Sequence, residues 1–149
     1  MARKSALTAR RIAETLGGAR ALGGTVRSFD DLRERVERGL RYESVDVLSS
    51  NLEIGLRALT TILRLPERTL ARRKTERRLR PDESDRLMRI GRVAALAAVT
   101  LGTREKAAGW LKRNNRALAN QSPLDRLDTD LGAREVEDLL LRIASGVYS

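Results

Sequence analysis

The chain has 149 residues, enough for one domain or two very small ones, and 41% of them are apolar, which supports a modest core. It contains neither Cys nor His, which excludes disulfides, thiolate zinc sites and thiol nucleophiles and removes the commonest general base and metal ligand. The net charge of +10 is unevenly spread: residues 64–80 carry +6 and residues 114–149 carry −2, so two surfaces with different partners are expected, one partner being polyanionic.

Only 3% of residues are aromatic, so the core must be built from Leu, Ile, Val and Ala. Such residues suit amphipathic helices, and few windows alternate as strands do, which predicts an all-α fold. The start MARKSALTARRIAETLGG has scattered charges and no apolar signal region, and no stretch approaches the roughly 18 apolar residues of a membrane span. A cytoplasmic protein without a membrane partner is expected.

In chain order, residues 1–27 read as a partly flexible arm, expected to be the least ordered part, with a first helix near 5–16 stopped by Gly17 and Gly18. Ser28 resembles an N-cap, with Asp30 and Asp31 in the first turn; Leu32, Val36 and Leu40 form the stripe, and Gly39 a stop. A helix from about Ser44 carries Val45, Leu48 and Leu52. Another from about Gly55 carries Leu56, Leu59, Ile62 and Leu63 until Pro66 ends it.

The next stretch, LPERTLARRKTERRLRP over 65–81, holds Arg68, Arg72, Arg73, Lys74, Arg77, Arg78 and Arg80 against Glu67 and Glu76. Its helix, from Glu67 to about Arg78, has Leu70 and Ala71 as a narrow inner edge, with Arg68, Arg72, Arg73 and Arg77 placed together on the outer one. That is the pattern of the second helix of a helix-turn-helix, which enters the major groove of duplex DNA. Thr69 could touch a base or phosphate, or equally cap or hydrate. Without aromatic residues between the cations, duplex DNA suits this surface better than single-stranded RNA. A solvated charged face is the plainer alternative.

Pro81 fits the first position of a long helix with Asp82 and Glu83 behind it, and Leu87, Ile90, Ala94, Ala97 and Leu101 mark its buried face up to Gly102. Thr103 can cap a helix with Ala107, Trp110 and Leu111. Ser122 and Pro123 start a short turn through Leu127. A last helix capped near Thr129 carries Val136, Leu139, Leu140 and Ile143 until Gly146. The divisions are an arm over 1–27, a helix-turn-helix DNA-binding and dimerisation domain over 28–101, and a helical domain over 102–149.

The run LPERTLARRKTERRLRPDESDRLMRIGRV resembles the helix-turn-helix and following helix of Xre/MbcA/ParS-type antitoxins, partners of RES-domain toxins. WLKRNNRAL and SPLDRLDTDLGAREVEDLLLRIASGVYS resemble the toxin-binding domain of the same family, and the likeness extends upstream to VRSFDDLRERVERGL. The resemblance implies a dimeric or higher antitoxin assembly that represses its own operon and neutralises an NAD-consuming toxin. It also implies that the C-terminal Gly146, Val147, Tyr148 and Ser149 face the toxin's active-site cleft. Arg78 stands where relatives commonly have Gly, and Arg80 where they often have Ser, so a helix cap is expected to be lost at Arg80, costing about 1 kcal/mol.

Asn114, Asn115 and Arg116 could contact the toxin or simply terminate a helix, and Trp110 reads as core rather than contact. Asp125, Asp128 and Asp130 lack calcium-loop spacing and read as caps and turns. No nucleophile and base stand together, so no enzyme, cofactor or metal is expected. The alternative to an antitoxin is a plain helix-turn-helix regulator whose C-terminal helices serve only dimerisation.

Overall fold

Short hydroxyl side chains start four of the helices. Thr8 accepts a hydrogen bond from the Arg11 N–H, Ser28 from Asp31, Thr103 from Lys106 and Thr129 from Gly132, each at 3.0–3.2 Å. These bonds satisfy first-turn N–H groups that no helical carbonyl can reach. At Ser28 the cap is reciprocal: Asp31 Oδ2 accepts from the Ser28 N–H at 3.2 Å and from Arg27 at 2.8 Å. The Arg27 bond is the largest reason that the Asp31 carboxyl sits below its ordinary pKa.

The structure is a computed structural model that describes residues 7–146. The helices are α1 (Ala9–Thr15), α2 (Gly18–Leu22), α3 (Phe29–Arg38), α4 (Glu43–Leu52), α5 (Leu56–Leu63), α6 (Glu67–Glu76), α7 (Pro81–Leu101), α8 (Arg104–Lys112) and α9 (Asp130–Ala144). Two 3-10 turns, Arg116–Leu118 and Leu124–Asp128, lie between α8 and α9. Among the described residues there is no strand, and the fold is all-α.

The axis of the molecule is α7, about 30 Å long at 1.5 Å per residue, with α1, α3, α8 and α9 packed along it. Its small residues allow close approach. A Cβ on Gly91 would lie 2.8 Å from Leu16 Cδ2, so Leu16 seats directly on the α7 backbone. Leu87, Ile90, Ala94 and Ala97 are buried, as their spacing predicts.

The arm needs correction. Ile12, Ala13, Leu16, Leu22 and Val26 all belong to the buried core, so the described part of residues 1–27 is packed rather than loose. Ala9, Ile12, Ala13 and Leu16 form a helical stripe, and burying it offsets the ordering entropy that the flanking glycines impose. Leu56, expected in the stripe of α5, is 41% exposed. That helix ends at Leu63 with Arg64 in the left-handed region (φ 55°), two residues before Pro66.

Candidate nucleic-acid interface and partner-binding domain

Helices α5 and α6 are joined by Arg64, Leu65 and Pro66, a three-residue turn of helix-turn-helix length. Leu59, Ile62, Leu63 and Leu70 are buried and fix one helix against the other. On the far side of α6, Arg68, Ala71, Arg72 and Thr75 are exposed, spaced i, i+3, i+4 and i+7 along one stripe. Neither Arg68 nor Arg72 makes an ion pair among the described residues. Two uncompensated guanidinium groups on a solvent-facing stripe can meet phosphates or the O6 and N7 of guanine.

The predicted DNA-contact set is divided by this geometry. Arg73 is not a surface cation: it is 3% exposed, three residues after Leu70 and on the same face. Its Nε and Nη2 donate to Glu83 at 2.7 and 3.0 Å, and its Nη1 donates to Glu76 at 2.9 Å. The Glu83 hydrogen bond holds the Arg73 pKa above its ordinary value. Burial pushes Glu83 up, yet its bonds from Arg73 and the Arg80 N–H, with the charge of both arginines, bring it below the ordinary carboxylate value. Ala71, expected on the inner edge, is exposed because Arg73 occupies that edge instead.

Thr69 is half-buried on one flank of α6, and Lys74 is exposed on the other. The helix ends at Glu76, earlier than expected, because Arg77 turns left-handed (φ 65°). Arg78 corrects the prediction differently: its Nη1 donates to the carbonyl of Gly39 at 2.8 Å and of Arg38 at 3.3 Å, closing the C-terminus of α3. At Arg80, no side chain caps α7 in the way Ser would. Glu83 Oε1 instead reaches back to accept from the Arg80 N–H at 2.9 Å.

Further along, the Arg126 guanidinium joins the carbonyl of Leu118 (2.9 Å) to Glu135 (3.2 Å), tying the 3-10 turns to α9. Arg92 links α7 to α9 through Glu137 at 2.8 Å. Trp110 is half-buried and packs on the core. Asn115 Oδ1 accepts from the Ala117 N–H at 2.9 Å, so it is used within the chain, while Asn114 and Arg116 are exposed. Gly146 is exposed at φ 74°; Val147, Tyr148 and Ser149 lie outside the described residues. Sequence reasoning missed Thr75 on the outer stripe, which the spacing from Arg68 would have shown.

These elements define a helix-turn-helix protein with an appended helical domain. Residues 31–92 match the family described as the antitoxin Xre-like helix-turn-helix domain, and residues 95–146 match the antitoxin Xre/MbcA/ParS C-terminal toxin-binding domain. A protein of Yersinia enterocolitica named Antitoxin Xre is 34% identical over 135 residues, covering 89% of this chain and 87% of that one. One of the same name from Photorhabdus laumondii is 32% identical over 132 residues, 87% and 89% of the two chains. A third, from Pseudomonas putida, is 37% identical over 83 residues, 55% and 52% of the two. The chain belongs to the Xre antitoxin family. Its two matched stretches meet inside α7, which serves both.

Proposed function

We propose that the chain is the antitoxin of a type II toxin–antitoxin pair that acts in the cytoplasm, binds and neutralises a RES-domain toxin consuming NAD, and represses its own operon as a dimer or a larger complex. The observation that carries this reading is the union, in one chain, of the exposed Arg68 and Arg72 stripe on α6 with a C-terminal toxin-binding family match. The protein works by binding, with no catalysis or cofactor of its own. Among the described residues no helix is long and apolar enough to cross a membrane.

Co-expression with the adjacent gene tests the proposal. A tagged antitoxin should retain the neighbouring product, and the purified complex should leave NAD intact. Removing Val147, Tyr148 and Ser149 should release NAD consumption while binding to the DNA upstream of the gene persists. A chain that binds this DNA but retains no neighbouring product is a plain regulator, and the proposal fails.

A further inference from the structure

The segment after α3 is pinned to the segment after α6. The Leu79 N–H donates to the Leu40 carbonyl at 2.8 Å and the Tyr42 N–H to the Arg77 carbonyl at 3.1 Å, which sets Arg41 opposite Arg78. Ser84 Oγ on α7 accepts from the Leu40 N–H at 2.7 Å, and Gly39 lies so close that an added Cβ would fall 2.3 Å from the Leu79 carbonyl oxygen. Arg41 therefore stands on a fixed frame beside the C-terminal end of α6, although it is remote from that helix in sequence.

The groove between the two segments is lined by Arg41, Lys74, Arg77 and Arg78 with Tyr42, and its two carboxylates are Glu43 and Glu76. Both carboxylates already have partners: Glu76 lies 2.9 Å from Arg73, and Glu43 lies 3.8 Å from Arg20. Arg78 is turned to the end of α3. Arg41, Lys74 and Arg77 are left without an ion pair among the described residues.

We propose that this groove is a second seat for duplex DNA, one that grips a backbone phosphate without regard to sequence. The proposal rests on the reading of α6 as the DNA-binding helix. At 100° per residue Lys74 lies about 120° around α6 from Arg68, so the groove flanks the outer stripe instead of extending it. While the stripe meets the bases and phosphates of the groove that α6 enters, a flank of this kind faces the neighbouring strand of phosphates. Donor-only cations on a fixed frame match an acceptor-only phosphodiester, and phosphate contacts of this kind set position rather than specificity.

The test uses the full chain, the duplex upstream of its gene and a mixed-sequence duplex several helical turns long, each titrated across a range of salt. Lys74→Gln with Arg77→Gln should make the slope of log K against log salt shallower by about 1.8, with affinity for both duplexes falling by the same factor. Arg41→Gln should remove about 0.9 of slope; because Arg41 Nη1 also donates to the Arg20 carbonyl at 3.3 Å, the Lys74 and Arg77 variants provide the check that is independent of that contact. Slopes that stay at the parent value overturn the groove, and so does a loss confined to toxin capture, which would make the occupant an acidic protein surface. Arg68→Ala with Arg72→Ala separates the two ideas. If that variant alone flattens the slope, only the groove fails; if it too leaves the slope unchanged, the assignment of α6 fails.

Discussion

Arg73 on α6 and Glu83 in the first turn of α7 form a two-point ion pair at 2.7 and 3.0 Å, with each side chain 4% exposed. The pair locks the angle of the DNA-facing helix against the axis of the fold. Breaking one partner of a buried pair typically costs about 3–5 kcal/mol, because the remaining charge is stranded. Arg73→Ala should therefore lower stability by that amount in denaturant unfolding. Arg73→Leu combined with Glu83→Leu should recover much of the loss, since no charge remains buried.

The same pair predicts a pH dependence. The carboxyl of Glu83 is held below its ordinary value in the folded state, so its contribution is fully present above the unfolded pKa of about 4.3 and is lost as pH falls through the folded value. The stability gap between the parent and Glu83→Gln should be wide near neutrality and shrink as the solution is acidified below that point. Unfolding curves collected across pH measure it, and a gap independent of pH would show that Glu83 is not held in its charged form by the fold.

Arg68→Ala with Arg72→Ala should weaken DNA binding and flatten the salt slope by about 1.8 if each side chain meets one phosphate. Both residues are exposed and make no ion pair among the described residues, so the stability change should stay within about 0.5 kcal/mol. Gel-shift titrations beside thermal melts check the two halves separately. An unchanged affinity would place recognition off this stripe.

The caps at Ser28, Thr103 and Thr129 were legible because each acts within three residues of itself. The burial of Arg73 was partly legible, since three residues from Leu70 is the same helical face; its charge argued for the outer face, and only the pairing with Glu83 overturns that. That partner lies ten residues on, beyond the turn over 77–80, and no periodicity links the two. Neither could the seating of Leu16 on Gly91 or the pairing of Arg41 with Arg78 be read from local pattern, because both join segments far apart in the chain. The stripe of Ala9, Ile12, Ala13 and Leu16 was visible, but the neighbouring glycines made it read as an arm.

Gly39 and Gly102 offer a paired test of the frame beside α6. Both have positive φ, 88° and 100°, with ψ outside the left-handed helical well, so Ala at either carries backbone strain of about 1–3 kcal/mol. Only at Gly39 would the new Cβ also meet the Leu79 carbonyl oxygen, at 2.3 Å; at Gly102 nothing lies within 4 Å. Gly39→Ala should accordingly melt at a lower temperature than Gly102→Ala, and the difference should carry over into weaker DNA binding. Equal melting temperatures would mean that the segments after α3 and α6 yield freely.

Leu139, 1% exposed, lies in the body of α9, whereas Leu131, 76% exposed, lies in its first turn. Leu139→Asp places a carboxylate in the buried core that Val136 and Leu140 share with α7, and should cost several kcal/mol. Leu131→Asp changes only a solvent-facing side chain and should stay within about 0.5 kcal/mol of the parent. Because α7 is the wall of both the helix-turn-helix and the C-terminal helices, the damage from Leu139→Asp should not remain local. Circular dichroism and a probe of Trp110 fluorescence should report one coincident transition at lower temperature, with DNA binding and toxin capture lost together. Two separated transitions, with the α6 half still binding DNA after the Trp110 half has melted, would show instead that α7 holds two independently folding units.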